Sequence, residues 1–429
     1  MLIALIFVAA LTPEDPRAYA GRNTVPWTDE APVEVETPPT AQRQETREPT
    51  VAPEPEPEPE PKPEPERSWT VTALVDTGYA INSNHPNNHI YRGTSTHPRT
   101  GEFTVNLGLA ALTHAPTAAE PYRFEFGLQA GSAADALVVA EPVLEGEEGG
   151  FAGAETWKHL ALANAGGRIE ASGTEIGAGL FGSPIGIGGF WTPLNTNLSP
   201  SWESNGAPFY FAGARVLQDL PAGFGAQAWI VNGWQTLGEA NSAPSYLAGL
   251  TWASERWNAN GFVYFGPDTV DTSPEAWRVH ADANGGYDGE VVGVSAVWDY
   301  GQERRTDLPG EPVHVWTGGG VFSRFTVHRG KVADVELSLR PDAWYEDGGS
   351  IYGADHWLLS GTATAGVFLW RHLRIRAEYR YDHSTADGGF FYRGGAVTPD
   401  GPGLSNRQHT IFFNVAGVLV HAFALRHDR

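Results

Sequence analysis

The chain has 429 residues, with 51 glycines, 32 prolines and no cysteine, which excludes disulfide frameworks, thiolate metal centres and a cysteine nucleophile. A formal net charge of −23 excludes the basic face of a nucleic-acid binder. No apolar run reaches the roughly 18 residues that a helical membrane span needs, so the length points to two or three globular domains or to one large barrel with a tail.

Residues 1–20 read as a secretory signal peptide. Leu2 to Leu11 is apolar but too short to cross a bilayer as a helix, and Ala18-Tyr19-Ala20 offers a small-x-small cleavage pattern. Residues 21–67 hold twelve acids against five bases and end in the Pro/Glu alternation Pro53 to Glu66. Alternating proline forbids helix and sheet ladders and favours polyproline II, a rod of roughly 43 Å at about 3.1 Å per residue. We read 21–67 as a disordered acidic Pro-rich periplasmic linker. A solvated spacer is its plainer role, and a tether to the cell wall or to a periplasmic partner is the sharper one.

From residue 68 to 425 the pattern becomes that of strands. The clearest is Leu373 to Asp382, in which Leu373, Ile375, Ala377, Tyr379 and Tyr381 share one parity and Arg374, Arg376, Glu378, Arg380 and Asp382 the other. Successive strand side chains point to opposite faces, so this segment is a two-faced ribbon. Sixteen such candidates fall near 69–80, 101–113, 121–132, 157–165, 168–180, 208–218, 223–234, 244–254, 257–266, 276–284, 288–300, 313–328, 332–343, 357–369, 372–383 and 409–423. Connections after even strands are short: Gly166-Gly167, Asp219 to Ala222, Ser254 to Arg256, Gly285 to Tyr287, Arg329 to Lys331, and Arg371. Those after odd strands are mostly long: 81–100, 133–156, 181–207, 301–312, 344–356 and 384–408. Short turns at one end and long loops at the other suit an even-stranded transmembrane barrel with an apolar exterior and a polar lumen. We therefore expect an all-β fold, an antiparallel outer-membrane β-barrel of about sixteen strands facing lipid.

Aromatic residues at strand ends suit interfacial girdles, with Trp252, Trp257 and Trp370 at the short turns and Trp277 and Trp357 at the long loops. In Arg168 to Leu180 the apolar parity slips, which predicts a bulge at Gly173. The last strand ends at Phe423 and is followed by a charged tail, Arg426 to Arg429.

The order Asp76-Thr77-Gly78-Tyr79-Ala80-Ile81-Asn82, Tyr91-Arg92, Phe103 to Leu107, Phe209 to Arg215 and Val231-Asn232-Gly233-Trp234 resembles the OmpL-like putative β-barrel porin family of Gram-negative bacteria. The resemblance covers most of 69–423. It implies an outer-membrane barrel of porin function, with no reaction and no cofactor. The acidic Pro-rich extension and the charged C-terminal tail depart from it.

Candidate chemistry is sparse. No GxSxG, HExxH, P-loop or dinucleotide fingerprint stands in a supporting context, so no enzyme activity is expected. His85, His89 and His97 match no closed metal site and read as exposed loop histidines. Glu145 to Gly150 lacks the oxygen-ligand spacing of a calcium loop. The stretch Gly182 to Ala207, with Phe190, Trp191, Asn195, Trp202 and Glu203, is too apolar for a solvated outer loop. It is the candidate constriction loop, the alternative being a loop packed on its neighbours or on another subunit.

By parity the lumen carries Arg123, Arg168, Arg215, Arg278, Arg324, Arg340, Arg374, Arg376 and Arg380. Against them stand Asp76, Glu125, Glu170, Asp282, Asp299, Asp334, Glu336, Asp342, Glu378 and Asp382. The expected function is passive diffusion of small hydrophilic solutes or ions, with lumen width and charge setting preference. The expected partners are outer-membrane lipid and the small hydrophilic solutes or ions, and the sequence leaves open both a cell-wall or periplasmic partner for the Pro-rich tail and assembly as an oligomer. The rival reading is a structural or adhesive barrel tethered through its Pro-rich tail.

Overall fold

The computed structural model describes residues 68–138, 154–239, 241–268, 276–398 and 401–423. The signal peptide, the Pro-rich linker, the Glu145 to Gly150 cluster and the charged tail lie outside these residues.

The strands are β1 Trp69–Asn82, β2 Phe103–His114, β3 Tyr122–Ala130, β4 Leu160–Ile169, β5 Thr174–Gly182 and β6 Tyr210–Asp219. They continue as β7 Phe224–Val231, β8 Ser245–Ala253, β9 Trp257–Pro267, β10 Trp277–Asp288, β11 Val292–Arg304 and β12 Val313–His328. The last are β13 Ala333–Asp347, β14 His356–Leu369, β15 Leu373–Ser384, β16 Phe391–Thr398, β17 Gly401–Ser405 and β18 Arg407–Phe423. Each strand from β1 to β15 pairs antiparallel with its sequence neighbour, and β18 pairs with both β15 and β1, closing a sixteen-stranded barrel. The pair β16–β17 is a separate hairpin inside the last long loop. Short helices α1 (Ser132–Val138), α2 (Ala154–Trp157) and α3 (Trp202–Gly206) all lie in long connections.

Parity decides the faces. Along β11, exposed Val292, Val294, Ala296, Trp298 and Tyr300 alternate with buried Gly293, Ser295, Val297, Asp299 and Gly301. On β15, Ile375, Ala377 and Tyr379 face out while Arg376, Glu378, Arg380 and Asp382 are buried inside. Only a hydrocarbon exterior favours this order, because in water the apolar parity would be the buried one.

Connections keep the expected rhythm: 170–173, 220–223, 254–256, 289–291, 329–332 and 370–372 are short, whereas 83–102, 183–209, 348–355 and 385–406 are long. Two turns sit further along the chain than the spacing predicted. Gly166 and Gly167 lie within β4, and Gly285 to Tyr287 within β10. Gly173 is no bulge but the end of the β4–β5 turn, at φ 67, where it accepts a hydrogen bond from the Asp219 N–H. Glu170, expected in the wall, is an exposed turn residue for the same reason. Small residues around Gly166 blur the parity on which the expectation rested.

The inward face is not uniformly polar. Phe181, Phe211, Trp229, Leu247, Phe262 and Tyr264 form a buried cluster on the inner side of β5–β9. Leu74, Leu107, Leu109 and Leu162 pack inside against Phe190, Trp191 and Leu194 of the loop 183–209. Side chains that would meet water in an open cylinder are covered here by loops.

Replacing outward Val294, 39 % exposed on the outer face, by Arg is expected to lower folding stability in bilayers by about 2–4 kcal/mol. Denaturant titration of the refolded protein in lipid vesicles measures the loss.

Candidate functional site

The loop 183–209, between β5 and β6, lies against the inner wall rather than outside it. Its sequence accounts for the shape locally. Pro193 starts the short 3-10 turn Thr192–Leu194, and Ser201 caps α3 by accepting the Ser204 N–H. Such a segment leaves many peptide groups outside regular structure, and in a dry interior each needs a partner.

Arginines satisfy the carbonyls. Arg340 on β13 donates to the Ser199 and Pro200 carbonyls, the second at 3.0 Å, and Arg380 on β15 also donates to Pro200. Arg376 donates from both terminal nitrogens to the Thr192 carbonyl, each at 3.2 Å, and Arg374 donates to the Pro193 carbonyl. Carboxylates satisfy the N–H groups. Glu378 accepts from Leu198 and Ser199 at 2.6 and 2.9 Å, and Asp342 accepts from Trp202 at 2.9 Å. Asp282 accepts from the Gly186 N–H at 3.2 Å, and Asp76 from the Thr192 hydroxyl at 2.9 Å.

Other long loops lock this one from above. Asn205 accepts from the Ser95 N–H at 2.9 Å and donates to the Gly93 carbonyl at 2.7 Å. Gly93 sits at φ +84, and a Cβ there would come within 2.5 Å of the Trp202 ring, so only glycine lets loop 83–102 approach this closely. Tyr352 donates to the Trp202 carbonyl, and Trp202, Phe390 and Phe391 share a buried cluster with Trp316 and Trp344. The Arg380 guanidinium lies 4.8 Å above the Trp202 ring.

Among the remaining residues expected to line a pore, ion pairing within the wall is the rule. Arg123 meets Glu125 at 3.0 Å and Glu175 at 2.5 Å, and the Arg215 guanidinium stacks 4.2 Å from the Phe181 ring. Arg278 pairs with Glu303 at 3.0 Å, Arg340 with Asp342 at 2.9 Å and Arg380 with Asp382 at 2.7 Å. Asp334 accepts the Gly330 N–H at the neighbouring turn, and Glu336 lies 3.5 Å from Arg324. Of the loop residues, Phe190, Trp191, Trp202 and Glu203 are buried, and Asn195 is half-buried, bonded through its side chain to Gly189.

Two features escaped the sequence reading. Tyr91, Asn205, Tyr352 and Phe390 join the locked assembly, and the only hint was that loops 348–355 and 385–406 are as aromatic as 183–209. His97, expected to be exposed with His85 and His89, is 4 % exposed, its Nε2 3.5 Å from Asp76 and its ring edge-on to Phe412. Loop 83–102 turns inward at this point, which local composition does not reveal. Burial lowers the His97 pKa, with Asp76 opposing the effect. For Glu203 burial raises the pKa, and nearby Asp299 and Asp282 raise it further.

The folded state thus binds the His97 proton less readily than the unfolded chain does. The stability due to neutral His97 is complete above the ordinary imidazole range, about 6.5, and declines as pH falls below it. We expect the thermal midpoint to drop between pH 7.5 and 5.5 by less in His97→Gln than in the parent chain. Equal drops in the two would assign the acid sensitivity to other groups.

The sequence matches the family described as "Putative beta-barrel porin-2, OmpL-like" over residues 68–416. Among curated proteins, none matched. Of solved structures, the anion-selective porin from Comamonas acidovorans is similar at 12 % identity and a TM-score of 0.52, over 82 % of this chain and 99 % of that one. The channel DcaP of Acinetobacter baumannii is 10 % identical over 81 % of this chain and 96 % of its own, with a TM-score of 0.48. In-vitro folded OmpT of Vibrio cholerae is 10 % identical over 82 % and 98 %, with a TM-score of 0.47. The first likeness is one of fold.

Proposed function

From the premise that the chain belongs to the OmpL-like beta-barrel porin-2 family, we propose that it is a narrow outer-membrane diffusion pore whose bore is set by loop 183–209. The observation that carries this reading is the bonding of that loop across the lumen to β1, β10, β13 and β15. A segment held at so many points narrows the bore without swinging in it. Small hydrophilic solutes or ions are the cargo this reading assigns to it, the inward loop and a charged inner wall being what such cargo would meet.

The groups an ion meets differ from the groups that face inward. Arg340, Arg376 and Arg380 are 1–2 % exposed beneath the loop. Half-buried Arg374, Glu336 and Asp288 lie towards the short turns, with Arg324 between the last two at 3.5 and 2.6 Å. This group is the charged lining we assign to the periplasmic mouth, short turns being periplasmic in such barrels. The barrel's two chain ends share that rim, Trp69 being the register partner of Phe423, which supports the reading of residues 21–67 as a periplasmic linker.

Planar-bilayer recording tests the reading. The folded chain should conduct. Arg340→Ala with Arg380→Ala frees the Ser199 and Pro200 carbonyls, and unit conductance should then rise on the order of twofold as the loop loosens. Heat-modifiable migration on gels checks that the variant has folded. Absence of conductance in the parent chain defeats the pore. Unchanged conductance in a folded variant defeats the loop as its limiting element.

A further inference from the structure

Where the loop meets β10 and β11, three carboxylates converge. Asp282 and Asp299 are register partners across the two strands, and Glu203 reaches them from α3. One oxygen of each lies within 4.8 Å of the others. Asp299 and Glu203 are 0 % exposed and Asp282 is 3 % exposed. Like charges directly opposed weaken a strand pair, and buried carboxylates need a counter-charge. Among the described residues no arginine or lysine pairs with any of the three; Arg278, four residues before Asp282, is held by Glu303 and Asp268.

The oxygens show an unmet demand. Both Asp299 oxygens and Glu203 Oε1 are buried and accept no hydrogen bond. The remaining oxygens are engaged: Asp282 accepts from Gly186 N–H and Asn284, and Glu203 Oε2 from the Ser201 and Ser204 hydroxyls. His280 supplies no second charge. Its Nδ1 accepts from Trp316 Nε1 at 3.2 Å, which leaves the ring proton on Nε2, 3.6 Å from Asp299. Gly186 keeps the space clear: at φ +77, a Cβ there would come within 2.7 Å of Glu203 Oε1.

We propose that Glu203, Asp282 and Asp299 bind one divalent cation of the Ca²⁺ class, which pins α3 of the inward loop to the barrel wall. An all-oxygen donor set suits a hard ion. Ca²⁺ holds its ligands at about 2.3–2.6 Å, so two oxygens on one ion lie up to about 5 Å apart, and oxygens that all lie within 4.8 Å of one another fit that limit. The rival is a proton shared between the carboxylates. The site goes beyond the diffusion-pore reading and can be tested without any conductance measurement.

The full chain, folded in detergent without lipopolysaccharide, is titrated with Tb³⁺ under tryptophan excitation; Trp202 adjoins Glu203 and Trp316 contacts His280. One saturable Tb³⁺ site displaced by Ca²⁺ is expected. The double variant Glu203→Gln, Asp299→Asn should weaken binding by about tenfold or more, since it removes two of three carboxylates. Removing Ca²⁺ with EDTA should lower the thermal midpoint of the parent chain and leave that of the variant unchanged. No saturable site in the parent chain, or equal affinity in a folded variant, overturns the proposal. Should the double variant not fold, Glu203→Gln alone, on the loop rather than in the wall, gives the same comparison. A parent chain whose thermal midpoint is indifferent to Ca²⁺ and EDTA assigns the cluster to the shared proton.

Discussion

Within hydrocarbon a β-sheet cannot keep a free edge, because no water is there to bond the outer row of peptide groups. The pairing of β18 with β1 meets that constraint, running in unbroken register from Trp69–Phe423 to Asn82–Thr410. Most of the remaining structure follows. Closure assigns one parity to lipid and the other to an interior that loops can enter. Once the interior is shared between wall and loop, its groups must satisfy one another. A sandwich could slide its sheets to adjust, whereas a barrel has one register, and every inward side chain takes its place from it.

The bonding of loop to wall solves a problem that irregular backbone brings into a dry space. The loop presents both carbonyls and N–H groups, so one type of charge cannot satisfy it. Alternation on a strand places arginine and acid two residues apart on one face: Arg340 with Asp342, Glu378 with Arg380, Arg380 with Asp382. The guanidinium supplies several donors in a plane, and one of them can hold the neighbouring carboxylate while others reach carbonyls. Arg380 does this with Asp382 Oδ1 and Pro200 O. Removing such a group leaves a buried carbonyl unbonded, at about 1–3 kcal/mol each. The inner wall is therefore a mould for the loop as well as a lining.

The barrel could be read from the sequence because its signals are local and repeated. Parity within Val292 to Tyr300, or within Leu373 to Asp382, needs only ten residues, and the short and long connections repeat it around the ring. Reading failed where small residues blurred parity, at Gly166 to Gly173 and at the glycines before Asp288. The apolar character of 183–207 was visible, but what holds it was not. Leu198 and Glu378 lie far apart in the chain, and no spacing rule links Glu203 to Asp282 and Asp299. His97 shows the same limit: its neighbours in the chain are polar loop residues, while its neighbours in space are Asp76 and Phe412. Local patterning reveals which face a residue takes, and only closure reveals what it meets there.

The formal charge of −23 accordingly says little about what an ion would feel inside. Much of the inward charge is neutralised within the wall, as in Arg123 with Glu125 and Glu175, or Arg278 with Glu303. What remains is unevenly placed. Arg374 and Arg376 on β15 bond to loop carbonyls and form no ion pair among the described residues, so their charge is shared with dipoles rather than cancelled. In a separate sector, on β10 and β11, the three carboxylates pair with no arginine or lysine among the described residues. A cation held at the carboxylates would offset their charge and leave that of the two arginines unbalanced. The count of acids and bases in the chain therefore does not describe the charge that its interior presents.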